Sequence, residues 1–180
     1  MNLKSLYLTA LLLTITLISC SPESNTSTTP ENTGEFNFNG VNYPLITAII
    51  TEEEATTNSS SKIGINLFNK TSAEITSNND TNEIDYVYFE FTADTIENTT
   101  YNSINRYDIS VDGAIVDSEF ISGTIFLSDS DPESDVFAQS GSVTVTNFTA
   151  YNIVFSFTFT RTDGQIITGS YDGNYLLQNN

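Results

Sequence analysis

One segment near the end of the chain alternates apolar and small polar side chains, and this alternation constrains the fold more than any other feature. Its apolar members are Ile153, Phe155, Phe157 and Phe159. Its polar members are Ser156, Thr158 and Thr160. Since successive side chains of a strand point to opposite faces, the pattern predicts a strand with one face in the core and the other in solvent. We expect the phenylalanine face to be core packing and not a ligand pocket.

Strand signals recur along most of the chain, and no stretch shows a clear helical period. The 12 Phe and 9 Tyr among 180 residues favour strands. Asn39-Gly40 and Asp163-Gly164 predict hairpin turns, Asp112-Gly113 is expected to end another strand, and Pro44 indicates an edge strand or a bulge. The expected strands are residues 36–38, 41–50, 62–68, 84–91, 107–111, 114–127, 141–146, 151–160 and 166–177.

These segments predict an all-β fold in one domain of ordinary size. Short connections indicate an antiparallel meander of about nine strands. Such a meander can hide its edges by closing into a barrel, in which case it would be lipocalin-like, or by forming a two-sheet sandwich. The sequence leaves both architectures open.

The composition excludes several classes of function. The chain has no His and one Cys, so a His-dependent catalytic triad and a disulfide within the chain are both impossible. Its formal net charge of −18 argues against binding to nucleic acid, because phosphate contacts need clustered Lys and Arg. The same charge argues against electrostatic adhesion to anionic lipid.

The first twenty residues have the organisation of a signal peptide. Lys4 gives a short positive head, and an apolar run from Leu6 to Ile18 follows, which is too short for a comfortable membrane span. The run ends in Leu17-Ile18-Ser19-Cys20, and this quartet resembles the lipobox of bacterial lipoproteins. The resemblance implies cleavage before Cys20 and attachment of acyl chains, such as palmitate, to that residue. The alternative is an ordinary secretory signal with a chance cysteine.

The chain is accordingly divided into three parts. Residues 1–19 are the expected signal peptide, residues 20–35 the lipidated Cys20 and a flexible polar tether, and residues 36–180 the antiparallel β domain. In the lipoprotein pattern, Ser21 after the cysteine implies the outer membrane and not retention at the inner one. Whether the domain faces the periplasm or the cell surface stays open.

A second resemblance covers the folded part loosely. Residues 140–145, 151–155 and 163–173, with residues 39–45 as the opening, are similar to the β domains of uncharacterised small envelope lipoproteins. The resemblance implies an antiparallel β fold and no specific function.

Alternate acids in one segment form the single candidate metal site in the sequence. They are Asp129, Asp131, Glu133 and Asp135. Calcium takes six to eight oxygen ligands, and a looping Asp-x-Asp segment can wrap several round one ion. An EF-hand is rejected because Ser134 stands where its loop needs Gly, so the alternatives are a looser calcium loop and a solvated hairpin loop. A second acidic run, residues 52–54, is expected to flank a sheet edge and discourage edge-to-edge pairing.

Three classes of function follow, and the first is favoured. A lipid-anchored binding or adhesion module, without catalytic residues and with calcium as the only cofactor considered, fits the anchor and the acidic β domain. A lipocalin-like carrier of a small apolar ligand would need an interior cavity. A glycan-active enzyme would need two close carboxylates in a cleft. The expected partners are thus the membrane, through Cys20, and an unknown glycan, protein or small apolar ligand.

Overall fold

The computed structural model describes residues 31–77, 79–104, 106–128 and 138–178. Within these residues the chain forms twelve strands and one short helix. The strands are β1 (Thr33–Phe38), β2 (Val41–Leu45), β3 (Thr47–Glu53), β4 (Lys62–Phe68), β5 (Thr81–Thr92), β6 (Thr100–Tyr101), β7 (Arg106–Val116), β8 (Glu119–Ile121), β9 (Ile125–Ser128), β10 (Ala138–Phe148), β11 (Asn152–Arg161) and β12 (Ile166–Gln178). The helix, α1, is Ser72–Thr76.

The strands form one continuous sheet whose two halves meet at β12. The hydrogen-bonded order is β6-β10-β11-β12-β3-β4-β5-β7-β8, with β1 pairing β12 and β2, and β9 pairing β7. We call the half with β1, β2, β6, β10, β11 and most of β12 the first layer. The half with β3, β4, β5, β7, β8 and β9 is the second layer.

Aromatic rings fill the space between the two layers. Phe89 of β5 lies 4.7 Å from Phe157 and 6.0 Å from Phe155 of β11, measured between ring centroids. Tyr107 of β7 lies 4.7 Å from Phe159. These side chains are almost completely buried, so the prediction that the phenylalanine face of β11 is core is confirmed. Their burial and ring–ring contacts hold the layers face to face.

The predicted all-β class is confirmed. Of the two architectures that the sequence left open, the closed barrel is wrong. The sheet ends at β6 on one side and β8 on the other, and no backbone pairing among the described residues joins them. Both end strands are only two or three residues long, which leaves little backbone to pair. The fold is therefore an open, two-layered sheet.

The expectation of a purely antiparallel sheet is also wrong, because β12 pairs β3 in parallel. Its register with β11 ends at Asn174, and Tyr175–Gln178 then pair Ala48–Thr51. The last residues of β12 extend beyond β11, so their backbone groups need other partners. β3 supplies them and thereby joins the layers.

The strand expected to end at Asp112-Gly113 instead continues to Val116 as β7. Asp112 has a φ of 56°, and its N–H donates to Asp85 Oδ1 at 3.2 Å. The register between β5 and β7 shifts close by, which is typical of a β-bulge. The turn comes later, at Asp117–Ser118, where both φ angles are positive. Twelve strands form where about nine were expected for three reasons: the expected strand 41–50 is divided into β2 and β3, residues 107–127 form β7, β8 and β9 where two strands were expected, and β6 is additional.

The two other predicted turns are present. Asn39 and Gly40 both have positive φ, at 53° and 78°, as a two-residue hairpin turn requires. Gly164, with φ at 87°, turns the chain between β11 and β12. Pro44 lies in β2, which pairs β1 alone among the described strands, so the edge prediction is confirmed.

Helix α1 lies between the expected strands 62–68 and 84–91, although no clear helical period was found in the sequence. Thr71 accepts a hydrogen bond from the Glu74 N–H, and the Glu74 carboxylate accepts one from the Thr71 N–H. This capping box starts a helix even though the segment lacks an apolar period. None of the described helical residues forms a segment with the length and hydropathy needed to cross a membrane.

Candidate functional site

The outward face of the second layer carries aromatic and charged side chains in register. Alternation in β4, β5 and β7 sends Ile65, Phe89 and Tyr107 inwards, so the residues between them point outwards. Cross-strand pairing then sets three outward rows side by side. The rows are Phe68–Tyr86–Ser110, Asn66–Tyr88–Asp108 and Gly64–Glu90–Arg106.

A cleft of about 520 Å³ opens on this outward face. Three rings line it, from Phe68 of β4, Tyr86 of β5 and Phe120 of β8. Ile75 of α1 and Ile115 of β7 add apolar surface. The polar lining comes from Arg106, Asp108, Ser118 and Ser122, with Thr76 and Ser77 at the end of α1. We call this site the outer cleft.

The three rings of the outer cleft support one another. Tyr86 lies 4.9 Å from Phe68 and 5.4 Å from Phe120, measured between ring centroids. The Tyr86 hydroxyl donates to Asn66 Oδ1 at 3.0 Å. Burial raises the pKa of Tyr86 far above its usual value of 10, so the hydroxyl stays protonated and keeps donating. The Phe120 ring packs against Tyr86, and the residue remains 42% exposed.

The charged wall of the outer cleft is an ion pair beside a tyrosine. Arg106 Nη2 lies 3.5 Å from Asp108 Oδ2. The Arg106 guanidinium carbon lies 5.8 Å from the centroid of the Tyr88 ring, within the range of a cation–π contact. About half of the Arg106 side chain is exposed. The wall therefore presents a hydrogen-bond donor and an acceptor next to an aromatic surface.

A buried carboxylate fixes Tyr88 in place. Glu90 is only 6% exposed, and its Oε1 lies 2.9 Å from Lys62 Nζ. The Tyr88 hydroxyl donates to Glu90 Oε2 at 3.2 Å. Hydrogen bonding and charge from Glu90 raise the pKa of Lys62, while burial raises the pKa of Tyr88 well above 10. Both partners therefore stay in the protonated form that binds Glu90 at neutral pH.

Gly64 makes room for the Tyr88 ring. A Cβ at this position would lie 3.0 Å from Tyr88 Cε2 and 2.5 Å from Thr51 Oγ1, both closer than normal contacts. The glycine thus lets the ring lie close to the backbone of β4.

All five predicted site residues fall outside the part of the chain that the structure describes. Cys20 lies there, as do the four acids of the expected calcium loop, Asp129, Asp131, Glu133 and Asp135. Their roles stay predictions. Among the described residues, no group of three or more Asp, Glu or Cys side chains is placed to hold a metal ion.

The acidic run at residues 52–54 begins with the last two residues of β3. Glu52 and Glu53 pair β4 on one side, whereas the described pairing of β3 with β12 ends at Thr51. The expectation that these acids discourage edge-to-edge pairing stays a prediction. A depression of about 600 Å³ lies beside them and Leu177. Although it is larger than the outer cleft, its lining is dominated by exposed carboxylates and contains no aromatic ring. We therefore place the candidate site in the outer cleft.

The outer cleft was not identified from the sequence, although one sequence feature of β5 pointed towards it. Tyr86 and Tyr88 alternate with Val87 and Phe89, so both faces of β5 are apolar or aromatic. A strand with one solvent face should be polar at every second position. The aromatic outward face indicated either a covering element or a ligand surface, but finding Phe120 beside it required the strand register.

No family model matches the chain, and neither a curated protein nor a solved structure matches it.

Proposed function

We propose that this chain is a lipid-anchored cell-envelope protein that acts by binding, with the outer cleft as its binding site. The observation that carries the proposal is the composition of that cleft. Rings from three strands meet a paired Arg106 and Asp108 in about 520 Å³. Small-ligand sites are concave, mostly apolar and provided with a few placed polar groups, in roughly this range of volume.

The anchor in this proposal is Cys20 in the lipobox, at the outer membrane and facing either the periplasm or the cell surface. β1 begins at Thr33, about a dozen residues later, and a chain of that length reaches at most about 45 Å. β1 would therefore begin within about 45 Å of the membrane. Several acyl chains at one cysteine give a stable anchor where a single chain is marginal.

Binding is favoured over catalysis by the contacts of the acids near the cleft. Asp108 pairs with Arg106, and Glu90 is held by both Lys62 and Tyr88. Because both carboxylates are already engaged by these partners, their role is to orient the neighbouring side chains of Arg106 and Tyr88. The carrier alternative would place an apolar ligand between the layers, where the rings of Phe89 and Phe157 already lie 4.7 Å apart.

The anchor is tested by metabolic labelling with an alkyne analogue of palmitate. We expect label on the wild-type chain and its recovery in the membrane fraction. Cys20→Ser should lose the label and leave the membrane fraction. An unlabelled wild-type chain, or equal labelling of Cys20→Ser, would contradict the lipoprotein assignment.

The binding site is tested by screening a diverse fragment library against the isotope-labelled full chain in detergent. We expect backbone shift changes to cluster at Phe68, Tyr86 and Phe120. Replacing Phe120 with Ser should remove those changes, whereas Tyr151→Ser, at an 80% exposed ring outside the cleft, should preserve them. Shift changes that spread over the surface, or that collect elsewhere, would contradict the outer cleft as the binding site.

A further inference from the structure

We infer that the outer cleft binds a neutral carbohydrate, an inference that rests on the proposed binding function and specifies its ligand. A sugar ring has an apolar face of C–H bonds and a rim of hydroxyl groups. The cleft has both complementary surfaces on adjoining walls: rings at Tyr86 and Phe120, and an ion pair at Arg106 and Asp108.

The aromatic wall of the outer cleft suits stacking by a sugar because its accessible ring, Phe120, packs against Tyr86. Phe120 is 42% exposed, and the centroid of its ring lies 5.4 Å from that of Tyr86, with the two rings tilted by 53°. Tyr86 is fixed in turn by Phe68 and by its hydrogen bond to Asn66. The face of an aromatic ring carries negative partial charge, which attracts the weakly positive C–H bonds of a sugar face. A ring already fixed in place loses little conformational entropy when it stacks.

The polar wall suits hydroxyl groups because it offers donors and acceptors together. The Arg106 guanidinium carries donors, and the Asp108 carboxylate carries acceptors. Ser118 and Ser122, which also line the cleft, can do either. A sugar hydroxyl both donates and accepts, so two neighbouring hydroxyls can meet an adjacent donor and acceptor. Hydrogen bonds to charged partners are the stronger ones.

The charge and chemistry of the cleft disfavour the competing ligands. The chain carries a formal net charge of −18, which repels anionic ligands at long range. A purely apolar ligand would take water away from Arg106 and Asp108 without replacing its hydrogen bonds. A neutral polyhydroxylated ligand meets neither penalty. The volume of about 520 Å³ lies within the range of small-ligand sites.

The test is calorimetric titration of the full chain with defined oligosaccharides, in a detergent without a sugar head group. The neutral probes are laminarihexaose, cellohexaose, xylohexaose and mannohexaose, and hexagalacturonate is the anionic probe. We expect at least one neutral probe to bind and hexagalacturonate to bind more weakly. Phe120→Ala should weaken the neutral probe about tenfold, through loss of one ring contact.

Two matched variants keep the result interpretable. Phe120→Tyr retains the ring and should retain binding. Tyr151→Ala removes an exposed ring outside the cleft and should leave binding unchanged. A thermal melt of each variant confirms that it is folded. Equal loss of affinity in Tyr151→Ala and Phe120→Ala would overturn the assignment to this cleft.

The carbohydrate inference and the binding proposal fail in different ways. If no neutral oligosaccharide binds, or if hexagalacturonate binds more tightly, the inferred ligand class is wrong. If fragments nonetheless occupy the cleft in a manner that depends on Phe120, the binding function survives with another ligand. If neither oligosaccharides nor fragments bind there, both are overturned.

Discussion

Glu90 shows how single residues shape the outward face of the second layer. A carboxylate that is 6% exposed must be matched by close partners, and here Lys62 and the Tyr88 hydroxyl provide them. The same contacts orient Tyr88, over which Arg106 lies. A structural ion pair thus positions the charged wall of the outer cleft without lining the cleft itself.

Replacing Lys62 with Met should leave Glu90 buried without its cationic partner. Breaking a fully buried pair costs about 3–5 kcal/mol. Because about a third of the Lys62 side chain is exposed, we expect a loss of about 1–3 kcal/mol in the free energy of unfolding. Urea denaturation measures it. Lys70→Met is the matched control and should change stability by less than about 0.5 kcal/mol; equal losses would contradict a specific role for the Lys62–Glu90 pair.

At the residue scale, the alternation of apolar and polar residues along a strand predicted which side chains are buried. It did not predict which residues of neighbouring strands they contact. The alternation of Phe155, Phe157 and Phe159 was sufficient to place them in the core. The position of the Tyr88 ring over Gly64 depends on β4 lying beside β5 in one register. A shift of one residue would have turned Tyr88 inwards, and nothing within either strand alone determines that register.

Among the elements, β12 has the largest structural role because it belongs to both layers. Its first part pairs β11 and β1, and Tyr175–Gln178 pair β3. Tyr175 also stacks on Phe148 at 5.4 Å, and its hydroxyl donates to the Thr149 carbonyl at 2.9 Å. The end of β12 therefore secures the link between the layers.

Ending the chain after Asn174 should weaken that link. The truncation removes the parallel pairing with β3 and the contacts of Tyr175, so we expect a loss of about 3 kcal/mol in the free energy of unfolding. Urea denaturation again provides the measurement. A control chain that ends after Gln178 keeps all of β12 and should match the full chain. Equal stability of the two truncated chains would contradict the linking role of β12.

The segment between β9 and β10 carries the expected calcium ligands Asp129, Asp131, Glu133 and Asp135. The calcium hypothesis predicts that the ion at about 100 times its Kd adds roughly 2.7 kcal/mol of stability. A thermal melt should then shift upwards by several degrees relative to a chelated sample. Asp131→Asn should reduce the shift. Identical melts with calcium and with chelator would assign the four acids to a solvated loop.

The elements show where sequence reasoning succeeded and where it failed. Asn39-Gly40 made a hairpin turn because both residues tolerate positive φ and the flanking strands pair locally. Asp112-Gly113 has the same turn chemistry but produces a bulge, because the long partner β5 pairs β7 on both sides of it. The parallel pairing of β12 with β3 joins segments far apart in sequence, beyond the reach of any local signal.

Buried tyrosines link the stability of the whole molecule to alkaline pH. Burial raises the pKa of Tyr86 and Tyr88 well above 10 and that of Tyr171 to about 12. In the unfolded chain the same groups ionise near pH 10. Their raised folded pKa therefore contributes stability that is fully present below pH 10 and is lost as pH rises through 12.

Ultraviolet absorbance of tyrosinate, recorded with circular dichroism during a pH titration, tests this linkage. We expect the buried tyrosines to ionise together with cooperative loss of structure above pH 10. A chain unfolded in guanidinium serves as the control and should titrate gradually near pH 10. Complete ionisation of all nine tyrosines near pH 10 in a chain that stays folded would contradict the described burial.

At the scale of the whole molecule, the central claim is that ligand binds on the outward face of the second layer and not between the layers. Titration of the aromatic-labelled full chain with the tightest-binding neutral hexasaccharide, followed by NMR, tests it most directly. The account predicts that the largest shift changes fall on Phe68, Tyr86 and Phe120. Changes concentrated on Phe89, Phe155 and Phe157 would place the ligand in the interior and contradict it.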